Sequence, residues 1–176
     1  MNMSRRTFLK AGTAAAAAMA MTPGEILAKK AKKDPKGMTG KLKILGVGIG
    51  GRGHAVLNGC CKNGDTLYDD VEVIGLADVD WKYAKGVLDE YKGYYPNCKL
   101  YHDYKTMFAE LLDQADAVIC ATADHTHAIV CAEALAAGKH VYCEKPLTRT
   151  VYESRLLTKL AAKANVATQM GNQGSS

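Results

Sequence analysis

The fold is decided by residues 41–54, KLKILGVGIGGRGH. A short apolar run typical of a buried strand leads into five glycines, and the chain then continues into an apolar segment that can begin a helix. Gly46, Gly48 and Gly51 have the spacing G-x-G-x-x-G. In that pattern the first glycine allows a tight turn, the second lets a pyrophosphate approach the backbone, and the third lets helix and strand pack closely. The stretch predicts dinucleotide binding, with a purely structural glycine loop as the alternative.

After this turn, the chain alternates between short apolar segments and helical patterns. Strict alternation of this kind predicts a parallel sheet covered by helices on both faces. Six strands opened by a glycine turn predict an α/β fold, a Rossmann-type doubly wound parallel sheet in the order 3-2-1-4-5-6. The later strands are expected at residues 71–77, 99–101, 117–121, 139–143 and 166–170, and the helices at residues 51–62, 80–91, 104–113, 125–137 and 150–165.

The net charge of +5 is unevenly distributed along the 176 residues. Residues 1–43 hold ten Lys or Arg and two acidic residues, a net charge of +8, which leaves −3 for the rest. A mildly acidic body argues against nucleic acid as a partner. The basic character belongs to the N-terminal leader.

The leader has the pattern of an export signal. A charged segment, MNMSRRTFLK, precedes an alanine-rich apolar run that is too short to span a membrane, and cleavage is expected after Ala20 or after Ala28. Residues 4–10 closely resemble the twin-arginine export signal, with a plain basic tail as the alternative. We therefore expect a signal peptide over residues 1–28, a solvated linker over 29–40 and a dinucleotide-binding domain over 41–176, exported to the periplasm.

An acidic residue, Asp78, ends the second predicted strand, 27 positions after Gly51. A carboxylate at this place can accept hydrogen bonds from an adenosine ribose and would repel a 2′-phosphate, which favours NAD over NADP. The alternative is a helix N-cap, a role that Asp78 or Asp80 could fill. Arg52 complicates the choice of cofactor, because an arginine in this loop can hold a phosphate.

Two further strand ends carry polar clusters, residues 122–127 (TADHTH) and residues 144–146 (EKP). In open parallel sheets, ligands bind beyond the carboxyl ends of the strands, near the point where the strand order reverses. Lys145 is the cation that follows the fifth strand. Partial desolvation there would lower its pKa and let it polarise or protonate a carbinol oxygen during hydride transfer. A surface lysine without a catalytic role is the alternative.

No metal site is expected from the two histidines of the first cluster. His125 and His127 are two residues apart at a helix start, so they lie on different faces. Three of the six cysteines, Cys120, Cys131 and Cys143, fall in predicted core elements and are expected to act as small apolar residues. The sequence leaves the redox state of Cys60 and Cys61 undecided.

Three segments together resemble the glucose–fructose oxidoreductase/inositol dehydrogenase family, Gfo/Idh/MocA. They are GVGIGGRGH (residues 46–54), ATADHTHAIVCAEALAAGKHVYCEKPLTRTVYESRLL (residues 121–157) and TQMGNQG (residues 168–174). The resemblance implies an NAD-binding domain in which Thr122 and His127 line the cofactor groove. It further implies that Lys145 is the functional lysine beside the nicotinamide and that Gln169, Gly171 and Asn172 close that end. The cofactor contacts expected in all are Gly46, Gly48, Ile49, Gly50, Gly51, Arg52, Asp78, Thr122, His127, Glu144, Lys145 and Asn172.

Members of that family continue into a second α+β domain that binds the sugar-like substrate and mediates homo-oligomer formation, and this domain is absent from residues 1–176. The resemblance implies hydride transfer at a carbinol of a sugar or polyol. A redox-neutral variant with retained NAD, as in the NAD-dependent glycosidases, is a sharper hypothesis. The alternatives are a non-catalytic dinucleotide-binding module and a methyltransferase that uses the same glycine turn.

Overall fold

Six parallel strands form the central sheet of the computed structural model, which describes residues 40–173. The elements in chain order are β1 (Leu42–Val47), α1 (Arg52–Cys61), β2 (Lys62–Asn63), β3 (Thr66–Leu67), β4 (Val71–Ala77), α2 (Trp81–Tyr94), β5 (Lys99–Tyr101), α3 (Tyr104–Leu111), β6 (Ala117–Cys120), α4 (His127–Ala136), β7 (His140–Glu144), α5 (Val151–Ala164) and β8 (Thr168–Gly171).

The spatial order of the sheet is β5-β4-β1-β6-β7-β8, and each neighbouring pair is parallel. This is the predicted order 3-2-1-4-5-6, so the prediction of a doubly wound Rossmann-type sheet is confirmed. From β1, the chain adds strands toward one edge of the sheet as far as β5, and it then crosses back to add β6, β7 and β8 on the other side of β1. All six carboxyl ends therefore meet at one edge, with the switch point beside the glycine turn.

Side chains on the two faces of the sheet form two separate hydrophobic clusters. Because neighbouring residues of a strand point to opposite faces, Ile44 belongs to the cluster that includes side chains of α1 and α2, whereas Leu45 belongs to the cluster that includes side chains of α3, α4 and α5. The same alternation places Ile119 in the first cluster and Val118 in the second. All four side chains are at most 4% exposed. This two-sided burial explains why the strands read as nearly continuous apolar runs.

The structure departs locally from the predicted elements. Gly64 and Asp65 form the two-residue loop of a small hairpin of β2 and β3 that lies between the predicted elements, with Gly64 at φ 60°. A two-residue hairpin loop requires a positive φ, which glycine adopts without strain. The helix expected from His125 begins at His127, after a 3-10 turn over Asp124–Thr126. It ends as predicted beside Gly138, which has a left-handed φ of 71°.

The predicted signal peptide at residues 1–28 and all but the last residue of the predicted linker lie outside the described residues. Within residues 40–173, none of the helices combines the length and the apolar character that crossing a bilayer requires.

Candidate functional site

A cleft of about 470 Å³ opens at the carboxyl edge of the sheet, where the glycine turn after β1 faces the ends of β4 and β6. Four of the residues predicted from the sequence line it: Gly48, Gly50, Asp78 and Thr122. The sequence analysis did not anticipate three further side chains in its wall, those of Tyr83, His102 and Tyr104. The cleft therefore lies where the strand order reverses, as expected for a ligand site of this fold.

The turn itself begins at Gly48, which has φ 72° and whose amide donates to the Ala77 carbonyl at 2.8 Å. A Cβ at this position would lie 2.6 Å from the backbone of Thr122. Both the positive φ and the close approach require glycine. Gly48 is thus the glycine of the tight turn.

The helix start is packed against this turn through Gly53. A Cβ on Gly53 would lie 2.0 Å from the Gly48 carbonyl oxygen, so only glycine lets α1 approach the strand end so closely. Gly48, Gly50 and Gly53 also have the spacing G-x-G-x-x-G, and this register fits the geometry. The sequence analysis missed Gly53, although the same pattern shifted by two residues could have found it.

The role predicted for Gly46 was therefore wrong. Gly46 lies inside β1, paired with Leu76 on one side and Ile119 on the other, so it forms no turn. The role of close packing predicted for Gly51 belongs to Gly53 instead. Gly51 has φ 51° and immediately precedes the first residue of α1.

Asp78 joins the end of β4 to the glycine turn. Its Oδ2 accepts hydrogen bonds from the amides of Ile49, at 2.9 Å, and Gly50, at 3.1 Å. Its Oδ1 accepts from the Asp80 amide at 2.9 Å. The N-cap of α2 is Asp80, which accepts from the Tyr83 amide, so Asp78 does not cap that helix. Ile49 is itself buried and reaches the site only through its backbone.

Glu144 is the centre of a second polar cluster, at the ends of β7 and β8. Its Oε1 accepts from Arg52 Nε at 3.2 Å, Tyr142 Oη at 3.1 Å and Gln173 Nε2 at 2.6 Å. Burial raises the pKa of this carboxyl, but the hydrogen bonds from Gln173, Arg52 and Tyr142 outweigh it, and the pKa lies below its usual range. Arg52, expected as a phosphate ligand, instead pairs with this carboxylate.

Gly171 makes the close packing of this cluster possible. A Cβ there would lie 2.4 Å from Tyr142 Oη and 2.6 Å from Glu144 Oε1. The neighbouring Asn172, expected as a cofactor contact, is exposed. Gln173, which the sequence analysis did not single out, supplies the amide that reaches Glu144.

His127 does not line the cleft, contrary to the sequence expectation. Its side chain is buried, with Nδ1 2.7 Å from the Pro146 carbonyl oxygen and Nε2 3.0 Å from the Thr122 carbonyl oxygen. The ring thus bridges the loops after β6 and β7. It holds the Thr122 segment and the EKP segment in place from behind, while His125 faces the cleft.

Lys145 follows directly on Glu144 and is exposed at the same edge of the sheet. Among residues 40–173, its ammonium group has no hydrogen-bond or ion-pair partner. It lies outside the wall of the 470 Å³ cleft, one strand beyond Thr122. The edge therefore carries two neighbouring parts, the cleft around Asp78 and the Glu144 cluster with Lys145.

Residues 41–172 match the Gfo/Idh/MocA family model, described as an oxidoreductase family with an NAD-binding Rossmann fold. The chain belongs to this family. Residues 41–172 of this Gfo/Idh/MocA protein are accordingly an NAD-binding Rossmann domain. Residues 2–22 match the signal sequence of the twin-arginine translocation pathway, which indicates export by that route.

Three curated relatives span different activities. The chain is 30% identical to glycosyl hydrolase family 109 protein 2 of Akkermansia muciniphila, over 85% of the chain and 36% of the relative. It is 27% identical to glucose-6-phosphate 3-dehydrogenase of Bacillus subtilis, over 74% of the chain and 33% of that protein. It is 30% identical to inositol 2-dehydrogenase of Salmonella typhimurium, over 72% of the chain and 34% of that protein. The chain thus spans about a third of the length of these relatives.

Solved structures show the same fold. An NAD-binding protein from Listeria innocua superposes with a TM-score of 0.56 at 29% identity, covering 74% of this chain and 35% of that one. The WlbA dehydrogenase of Bordetella pertussis, solved with NADH and UDP-GlcNAcA, superposes with a TM-score of 0.61 at 22% identity. It covers 77% of this chain and 36% of that chain, and at this identity the likeness shows the fold alone.

Proposed function

We propose that the chain is the cofactor domain of an exported, NAD-dependent oxidoreductase that acts on a carbinol of a sugar or polyol. The observation that carries this proposal is the cleft at the switch point, which is lined by the glycine turn, by the Asp78 carboxylate hydrogen-bonded to that turn, and by Thr122 and Tyr83. We also propose that residues 1–28 are removed on export to the periplasm and that residues 29–40 act as a linker.

The residues of the cleft fit NAD. Gly48 and Gly53 leave no side chain between the turn and the start of α1, and the first amides of a helix have no intrahelical acceptor. Those amides of α1, with the positive end of its dipole, would hold the diphosphate. A carboxylate offers about four acceptor positions, and Asp78 uses three of them, two on Oδ2 and one on Oδ1. Its Oδ1 can therefore also accept from a ribose hydroxyl. The same charge would repel the 2′-phosphate of NADP.

Lys145 is the residue that we propose for the chemistry. NAD, when bound, supplies a hydride acceptor. The Lys145 ammonium would donate to the carbinol oxygen of the substrate and stabilise the negative charge that develops there, while the hydroxyl proton passes to water and the carbinol carbon gives up its hydride. Glu144 would hold the EKP segment to the start of α1 through Arg52, which fixes the position of the lysine backbone.

The substrate class rests on the relatives, two of which are named as dehydrogenases of glucose 6-phosphate and of inositol. Both names describe oxidation of a ring carbinol that has hydroxyl groups on neighbouring carbons. Most contacts to such a substrate would come from a second α+β domain of the kind this family carries, which would also mediate homo-oligomer formation.

A second candidate function is favoured by the glycosyl hydrolase family 109 relative, which matches over 85% of the chain. In that case a sugar carbinol would be oxidised transiently, which makes the neighbouring C–H acidic and allows the glycosidic substituent to leave. The hydride would return to the sugar afterwards. NAD would then be neither consumed nor released in a cycle, which suits a protein that is exported away from the cytoplasmic NAD pool.

The test is to purify the chain and identify any nucleotide released by acid, and then to titrate the nucleotide-free protein with NAD, NADP and S-adenosylmethionine. Trp81 is a suitable fluorescent reporter, because its ring stacks at 3.8 Å on His102 in the wall of the cleft. We expect a response to NAD and a weaker response to NADP. A response to S-adenosylmethionine alone would refute the proposal in favour of a methyltransferase. Binding of NAD without oxidation of any member of a polyol panel, in protein that carries this domain together with its substrate domain, would favour the non-catalytic module.

A further inference from the structure

Three cysteine sulfurs converge in the core behind the EKP segment. Cys120 at the end of β6 and Cys143 on β7 are register partners, and Cys131 reaches them from α4. Their sulfur atoms all lie within 4.8 Å of one another, and each residue is at most 1% exposed. The three thiols are free of disulfide bonds. Ordinary apolar packing accounts for their burial but does not require three sulfurs in mutual contact.

We propose that Cys120, Cys131 and Cys143 form a binding site for a single soft monovalent cation, Cu(I). Metal–thiolate bonds are about 2.3 Å long, so three sulfurs in a triangle around one ion lie roughly 4 Å apart. The observed spacing of the three sulfurs accommodates that triangle with small side-chain adjustments. Each thiol that becomes a ligand releases its proton to solvent.

The donor set selects among metals. Thiolates prefer Cu(I), Zn(II) and iron–sulfur clusters, whereas Mg²⁺ and Ca²⁺ require oxygen ligands. Structural Zn(II) sites have four protein ligands, but no histidine, aspartate or glutamate of the described residues joins the three cysteines. A site with three sulfurs and no fourth protein ligand among the described residues therefore suits Cu(I) better than Zn(II).

The surroundings provide a hydrogen bond to the sulfur and a path for the ion. Cys120 Sγ lies 3.5 Å from Thr122 Oγ1, a hydroxyl that can donate to a thiolate. A cavity of about 380 Å³ between α4, α5, β7 and β8 reaches both Cys131 and Cys143. Met170 lines the same cavity and is the register partner of Cys143 on β8. Its thioether is a further soft donor along the route to the three thiols.

The experiment is an anaerobic titration of the full, reduced, metal-free chain with Cu(I) in competition with a coloured Cu(I) chelator, bathocuproine disulfonate. We expect one tightly held Cu(I) per chain and a higher melting temperature of the loaded protein, because three converging thiols bind the ion more tightly than the separated thiols of the unfolded chain. Cys131→Ser and Cys143→Ala should weaken binding at least about tenfold, as loss of one of three ligands predicts. Cys60→Ser and Cys98→Ser are the matched controls, since these cysteines lie in or against the other hydrophobic cluster, and should bind as the wild type does.

Three results would overturn the proposal. One is unchanged Cu(I) affinity in Cys131→Ser and Cys143→Ala. Another is Zn(II) binding that competes equally with Cu(I). The third is a disulfide within the three cysteines in protein purified without reductant, seen as a mass loss of two hydrogens in the linked peptides, with no copper uptake after reduction. Circular dichroism of each variant confirms that a loss of binding is not a loss of folding. The result is independent of NAD binding at the cleft, so failure of either proposal leaves the other standing.

Discussion

Replacement of Gly53 by alanine tests which glycines form the G-x-G-x-x-G pattern. The structure assigns Gly48, Gly50 and Gly53, whereas the sequence analysis assigned Gly46, Gly48 and Gly51. The new Cβ would lie 2.0 Å from the Gly48 carbonyl oxygen, and both atoms are held by backbone. Overpacking of this kind costs about 3 kcal/mol at the upper end of its usual range. Alanine in place of glycine in a helix returns about 1 kcal/mol. The net loss is therefore about 2 kcal/mol, or roughly 8 °C in melting temperature for a domain of this size.

Gly59→Ala is the matched control in the same helix, because a Cβ there has no atom within 4 Å. It should stabilise the protein by up to about 1 kcal/mol. Thermal unfolding followed by circular dichroism measures the stability of both variants. Titration with NAD measures whether the glycine turn still binds the cofactor. We expect Gly53→Ala to bind NAD at least about tenfold more weakly, a loss of about 1.4 kcal/mol of binding free energy, with Gly59→Ala unchanged. Equal melting temperatures and equal NAD affinities in the two variants would refute the reasoning.

Three further substitutions test the rest of the site. Asp78→Asn removes the charge but keeps an acceptor for the turn amides, so NAD affinity should fall about tenfold while that for NADP falls less; parallel titrations with both nucleotides measure this, and an unchanged NAD-to-NADP ratio would contradict it. Glu144→Gln should weaken the fall in the free energy of unfolding at acidic pH. The lowered pKa of Glu144 stabilises the fold at pH values above its ordinary pKa of 4.5, and this stabilisation is lost as the pH falls through the lower folded-state pKa. Urea unfolding between neutral and acidic pH measures it, and identical slopes below about pH 4.5 in the two proteins would contradict it. In protein that carries this domain together with its substrate domain, Lys145→Met should leave NAD affinity within about threefold but lower the rate of hydride transfer about 10²–10⁴-fold, the usual contribution of a general acid–base group. Single-turnover NADH absorbance measures the rate, and an unchanged rate would exclude Lys145 from the chemistry.

The sequence was sufficient to predict the sheet order, because each strand is an apolar run bounded by turn residues and each crossover is a helix. It was not sufficient to place the glycine register. The spacing G-x-G-x-x-G occurs twice within residues 46–53, and only the end of β1 at Val47 decides between the two. Strand ends are the least certain feature of a sequence-based reading, and a shift of two residues changes which glycine packs against the helix.

The same limit applies to the polar residues of the site. A histidine beside a strand end has the same sequence pattern whether it faces a ligand or, like His127, lies buried between two carbonyl oxygens. The pairing of Arg52 with Glu144 joins residues 92 positions apart, and no local spacing encodes it. The triangle of Cys120, Cys131 and Cys143 likewise exists only in three dimensions, since β6, α4 and β7 each contribute one sulfur.

The most direct test of the central claim is a crystal structure of the chain grown with NAD. We predict that the diphosphate lies on the backbone between Gly48 and Arg52, that the adenosine ribose contacts Asp78, and that the nicotinamide extends toward Lys145. Diphosphate density away from the glycine turn, or NAD bound outside the cleft lined by Gly48, Asp78 and Thr122, would contradict the account.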